Sequence, residues 1–307
     1  MKAQFFKFIL CLATVACFCS SCSSGASGDD PIPPQPDPPT PVRIPISLNL
    51  GVTAASRVSD TGYEKGDRIG LFVVNYSGGN AGTLAPNGNH VDNMCFTYDG
   101  TWTPATPIYW TDDTTPADFY CYYPYNSNVQ LTAHPFSVQN DQRTPDAYKN
   151  SEFLYGKATK VSPTSNAVNI MTRHLFSCAV IQVAPGPGFT QESLDAADVQ
   201  VRLNGVKTQA KINLKDGSVT ADGEPSSIQP LLDGKQYKAL VVPQTAKADN
   251  FITVTIDGRD YHLKKEFTFV SGKRHQFTVT VKRTGNGINV GIDDWIDDGT
   301  DHGGTAE

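Results

Sequence analysis

Between positions 44 and 54 apolar and non-apolar residues alternate without a break. Ile44, Ile46, Leu48, Leu50, Val52 and Ala54 are separated by Pro45, Ser47, Asn49, Gly51 and Thr53. A period of two sends alternate side chains to opposite faces of an extended chain, so the stretch predicts a β-strand with one apolar face. Nothing after it holds a helical period. Residues 68–76 (RIGLFVVNY) are almost continuously apolar, as in a strand covered on both faces. Residues 118–123 (DFYCYY) predict an aromatic strand stopped by Pro124, and shorter runs follow at 176–183, 199–203, 210–214, 237–242, 251–256, 266–270 and 276–281. Asp99-Gly100, Asn204-Gly205, Asp216-Gly217, Asp233-Gly234 and Asp257-Gly258 supply turn pairs between such runs, the mark of hairpins in a sandwich. Residues 191–197, with Thr190 as cap, predict one or two helical turns. The expected class is all-β. A domain boundary is placed between 173 and 174, dividing 44–173, loop-rich over 75–118 and 126–172, from a 174–307 region of shorter, evenly spaced strands with an acidic Gly/Asp tail.

The N-terminus has the layout of an export signal. Lys2 and Lys7 flank the start of an apolar run at 8–18, too short for the roughly 20 residues that span a bilayer but suited to a signal peptide. It leads into Cys19-Ser20-Ser21-Cys22-Ser23-Ser24, where small residues before a cysteine resemble a bacterial lipobox. Cys22 is the expected lipidation site, with Cys17 as the alternative and an ordinary secretory signal as the competing reading. Cys19 and Cys22 form a CxxC pair, but no second pair accompanies them for zinc or redox work. Residues 1–22 are therefore read as a signal peptide and 23–43 as a Pro-rich tether. The run from Pro31 to Pro41 favours polyproline II, about 3.1 Å per residue, a spacer between a lipid anchor and a folded body. The exported part keeps 23 basic against 31 acidic side chains, near −8. Phosphate recognition needs concentrated Lys and Arg, so no nucleic-acid partner is expected.

Motifs for chemistry are lacking. The sequence has no HExxH, GxSxG, Walker or GxGxxG pattern, and its six histidines are scattered. No catalytic residue, cofactor or metal site is assigned. Asp112-Asp113 lies in a polar loop, and the cluster Asp293, Asp294, Asp297, Asp298 and Asp301 lacks EF-hand spacing and reads as a solvated acidic tail, with calcium binding as the competing reading. Cys95, Cys121 and Cys178 are an odd number in an exported chain, and the latter two sit in strand patterns as small buried residues. Trp102, Tyr109, Trp110 and neighbouring tyrosines allow a second function, a solitary surface lipoprotein that stacks loop aromatics on glycans or another host ligand.

Several features in order carry a resemblance. After the lipobox, tether and alternating strand come Arg57, Gly62-Tyr63-Glu64-Lys65-Gly66-Asp67-Arg68-Ile69-Gly70-Leu71-Phe72, Pro107-Ile108-Tyr109-Trp110, Asp118-Phe119-Tyr120-Cys121-Tyr122-Tyr123-Pro124, His174 and a late Trp295. The set is similar to the fimbrillin-like (Mfa-like) lipoproteins of anaerobic Gram-negative bacteria. That resemblance implies two tandem transthyretin-like β-sandwich domains, and a subunit, anchor or tip adhesin of a fimbria at the outer membrane. It implies partners of three kinds: other fimbrial subunits joined by strand exchange, outer-membrane lipid through the acylated cysteine, and a host or bacterial surface ligand. It further implies a protease cut after Arg57 that frees the strand carrying Ile44, Ile46, Leu48, Leu50, Val52 and Ala54. An opened strand edge is a template for a strand from another chain. The competing reading makes Arg57 a plain loop residue and the strand permanent. The segment 287–296 is a candidate donor.

Overall fold

The computed structural model describes residues 43–52 and 62–283. Within them the chain runs β1 (Leu48–Val52), β2 (Arg68–Asn75), β3 (Val91–Tyr98), β4 (Trp102–Pro104), β5 (Ala117–Tyr123), β6 (His134–Ser137), α1 (Pro145–Lys149), β7 (Leu154–Val161), β8 (Val168–His174) and β9 (Ser177–Pro185). It continues through α2 (Gln191–Ala196), β10 (Val199–Asn213), β11 (Ser218–Ile228), β12 (Leu231–Asp233), β13 (Gln236–Val241), β14 (Gln244–Ile256), β15 (Arg259–Phe269) and β16 (Arg274–Val281). The all-β expectation holds.

Seven strands form the first sheet in the order β1-β8-β7-β5-β2-β3-β4. β2 lies in its interior, as its unbroken apolar run required. Ile69, Leu71 and Val73 point into one core cluster, while Phe72 and Val74 point into another shared with the later strands. Two further sheets follow, one of order β11-β10-β14-β15 with β6 paired to β10, the other of order β12-β13-β9-β16. β6 therefore lends a strand from the first half of the chain to a sheet of the second. Gln142 does similar work, its side chain accepting from Leu240 N at 2.8 Å and donating to Leu240 O at 2.9 Å.

Two sequence expectations are revised and two hold. Asn204-Gly205 is no hairpin: the runs at 199–203 and 210–214 are one strand, β10, and its ladder with β11 shifts register between Asn204 and Val206. Gly205, at φ +72°, takes the left-handed conformation that such a bulge uses. By contrast Asp257 and Gly258 (φ +49° and +79°) close a two-residue hairpin between Ile256 and Arg259, as their type predicts. The stretches expected to be loop-rich hold β3, β4, β6, α1, β7 and β8. The expected short helix is α2, with Thr190 and Ser193 capping each other.

Candidate functional site

Residues 44–52 of the alternating strand are among the described residues. Residues 48–52 run parallel to β8, Leu48 opposite Val168 and Val52 opposite Thr172. Upstream, the same stretch changes partner. Pro45 bridges antiparallel to Tyr109, Ile46 N donates to Ile108 O at 2.9 Å, and Trp110 N donates to Ile44 O at 2.9 Å. Residues 44–52 thus link β8, next to one end of the seven-stranded sheet, to the segment that follows β4 at its other end.

The faces sort as the period demands. Ile46 and Leu48 are 3% and 6% exposed, in a core with Leu71, Phe96, Ile108, Phe119 and Ile170. Ile44 and Leu50 are half-buried against the same core, whereas Ser47 and Asn49 are exposed. Lifting the strand out would open an apolar slot and leave β8 with a free edge. Ala54 and Arg57 lie outside the described residues, as do Cys22 and the acidic cluster from Asp293.

Side chains of β8 add to the ladder. Asn49 Nδ2 donates to Asn169 Oδ1 at 2.7 Å. The Thr172 hydroxyl donates to Gly51 O at 2.9 Å, and Tyr63 OH donates to Thr172 Oγ1 at 2.8 Å. Tyr63 packs edge-on against Trp102 with centroids 4.9 Å apart, and burial pushes its phenol up. A residue just beyond Arg57 is in this way tied to the carbonyl of the strand that precedes it.

An open cleft of about 620 Å³ lies at the downstream end of the slot. Leu50 and Val52 line it from one side of Arg57 and Tyr63 from the other, with Tyr123, Lys149 and His174 among the remaining walls. Lys149 Nζ reaches Glu64 at 2.5 Å and Asp67 at 2.9 Å. The Tyr123 phenol is pushed up to about 12, first by burial and then by Asp67. His174 Nδ1 meets Glu152 Oε2 at 2.7 Å in a buried pair.

The glycan reading loses its tryptophans. Trp102 and Trp110 are 7% and 4% exposed and sit in the core. Trp110 packs on Phe119 at 5.4 Å and donates Nε1 to Thr164 O at 3.2 Å, so neither ring offers a face to a sugar. Asp112 serves its own turn, accepting from the hydroxyls and amides of Thr115 and Thr114; these bonds hold its carboxyl down at about 2. Cys121 and Cys178 are buried, and desolvation pushes both thiols up. Sequence reasoning missed Asn169, Met171 and Thr172, although the alternation Val168-Asn169-Ile170-Met171-Thr172 was there to be read.

Known proteins share this architecture. Residues 56–295 match the fimbrillin-like family model. Over 268 residues the chain is 25% identical to a Bacteroides uniformis protein named as the fimbrium subunit Fim1C, covering 82% of this chain and 85% of that one. The crystal structure of a Bacteroides uniformis protein described as a cell adhesion protein superposes with TM-score 0.60 at 22% identity, over 85% of this chain and 99% of that one. A Bacteroides ovatus protein of the same description gives TM-score 0.63 at 15% identity, over 83% and 98%. At these identities the two structures speak for the fold.

Proposed function

We propose, since the chain belongs to the fimbrillin-like family, that it is a non-catalytic cell-surface fimbrial subunit serving adhesion, and that it assembles by exchange of its first strand. Its similarity to a protein named as a fimbrium subunit supports the first part. One observation carries the second: residues 44–52 form the last strand on one side of their sheet, yet bury Ile46 and Leu48 in the core. Such an element is separable in topology and costly to leave unreplaced. In this reading Cys22 is acylated and anchors the precursor to the outer membrane through the 23–43 tether. A trypsin-like protease cuts after Arg57, the fragment ending there departs, and another subunit's strand enters.

The test is mass spectrometry of the protein recovered from cells, followed by sizing after cleavage in vitro. The expected mature N-terminus is Val58, and cleaved protein forms a ladder of oligomers in which the 44–57 fragment is absent. Cleaved protein that stays monomeric and retains the fragment under all conditions would overturn exchange. A mature N-terminus at Cys22 alone would leave an anchored protein that is not processed.

A further inference from the structure

We infer that the cleft beyond the end of β1 is a binding site for a cationic side chain, an arginine or lysine offered by a partner polypeptide, with His174 as its buried acceptor. The site belongs to the uncleaved protein and needs no strand exchange.

Register places His174 at the cleft. The pairing of β1 with β8 ends at Val52, opposite Thr172. His174 lies two positions further along β8, on the same buried face as Ile170 and Thr172 and past the last β1 pair. Leu154 of β7 pairs with it from the other side. Leu50, Val52, Leu154 and His174 are all walls of the cleft. The His174 ring is nearly enclosed, its side chain 7% exposed, and Nδ1 meets Glu152 Oε2 at 2.7 Å. An ionised carboxylate only accepts, so Nδ1 carries the proton, and in the neutral ring Nε2 is left an acceptor. That Nε2 is buried and has no hydrogen-bond partner. Buried acceptors are nearly always satisfied, because stripping one of water without giving it a donor costs free energy. A ligand that enters the cleft and brings a donor removes that cost.

The remaining walls fix the charge of the ligand. Five carboxylates and two ammonium groups line the cleft. Lys149 is taken up by Glu64 and Asp67 together, and Lys238 by Asp233. Asp146 is exposed and makes no ion pair among the described residues, and Glu152 is opposed by His174 alone. The excess is negative, which attracts a cation and repels an anion. Tyr98 and Tyr123 cluster on Tyr63 with ring centroids 6.3 Å and 6.2 Å away, and all three rings line the cleft. Their negative faces favour a cation as well. Leu50, Val52, Leu154 and Leu231 offer apolar surface to the methylene stem of a lysine or arginine. A metal ion fits less well, since no three His, Cys, Asp or Glu side chains among the described residues converge on one point. The volume of about 620 Å³ falls within the roughly 300–1,000 Å³ of small-ligand sites. Being open, the cleft admits a side chain whose backbone stays outside.

The experiment uses the uncleaved protein with ¹⁵N-labelled histidine rings and three end-blocked tripeptides, Ala-Arg-Ala, Ala-Lys-Ala and Ala-citrulline-Ala. Calorimetry gives affinities, and the Nε2 resonance of His174 reports the site. The expected result is binding of both cationic peptides, with a shift of that resonance. Citrulline keeps the shape of arginine without its charge and should bind about tenfold or more weakly, as for a lost charge-assisted hydrogen bond. Asp146→Asn, at an exposed position, should weaken the cationic peptides about two- to fivefold and leave the citrulline peptide unchanged. His174→Gln should weaken them further; if that buried variant fails to fold, Asp146→Asn and the resonance still decide. Citrulline binding as tightly as arginine, or no binding by either cationic peptide, overturns the inference. Binding that leaves the His174 resonance in place overturns the site. Spermidine binding where both cationic peptides fail overturns the polypeptide partner in favour of a free amine.

Discussion

Single residues decide how firmly the first strand is held. Leu48 puts a whole side chain into a core that closes around it. Leu48→Ala leaves a cavity there, and we expect the uncleaved protein to lose about 2–5 kcal/mol, read from chemical denaturation. Tyr63 acts at one remove. Its hydroxyl donates to Thr172, which in turn donates to Gly51 O. Tyr63→Phe keeps the ring packing on Trp102 and deletes one hydrogen bond, so after cleavage the 44–57 fragment should leave roughly two- to tenfold faster in a stopped-flow release assay. An unchanged rate would show that Thr172 needs no partner to hold the strand. The inward residues of the strand were legible in the sequence because burial and a period of two are one signal. Thr172 and Met171 were not, because the value of a threonine or methionine depends on which carbonyl or glycine lies beside it.

At the scale of elements, strands with continuous or alternating apolar content were readable, and strands lacking either pattern were not. β2 and β5 announce themselves, and both are interior strands. β7 is Leu-Tyr-Gly-Lys-Ala-Thr-Lys-Val and β3 carries Asp92 and Asn93; their ladders come from neighbours rather than from their own composition. β10 shows the opposite error. Its Asn-Gly pair has turn chemistry, but β11 pairs with β10 on both sides of it and absorbs it as a bulge. β6 is a short element whose role is entirely tertiary. It carries His134, which accepts from Gln130 N at 3.4 Å and lies 6.1 Å from the Phe153 ring. Burial holds this imidazole below its ordinary value. The unfolded chain takes up the proton near pH 6.5 while the fold keeps the ring neutral, so stability present above that pH is lost progressively as pH falls below it. The denaturation midpoint should drop between pH 7 and pH 5, and His134→Asn, which keeps an acceptor near Gln130, should shrink the drop. A drop of the same size in the variant would move its origin to other groups.

At the scale of the molecule, the first strand is the end member of the seven-stranded sheet. Residues 44–52 touch two places far apart in sequence: Val168 N donates to Ser47 O at 2.8 Å, and Trp110 N donates to Ile44 O at 2.9 Å. Both amides depend on one segment, so they should gain and lose protection together while it is the occupant. Hydrogen exchange followed residue by residue tests this. Uncleaved protein should protect both amides. Cleaved protein from which the fragment has been displaced should expose both, along with the apolar slot that a hydrophobic dye reports. Entry of a replacement strand along β8 should restore Val168, whereas Trp110 recovers only if the upstream residues of that strand also turn towards 108–110. Recovery of Val168 without Trp110 would identify a replacement held along β8 alone. Simultaneous recovery would mean that the incoming strand rebuilds the full bridge across the sheet.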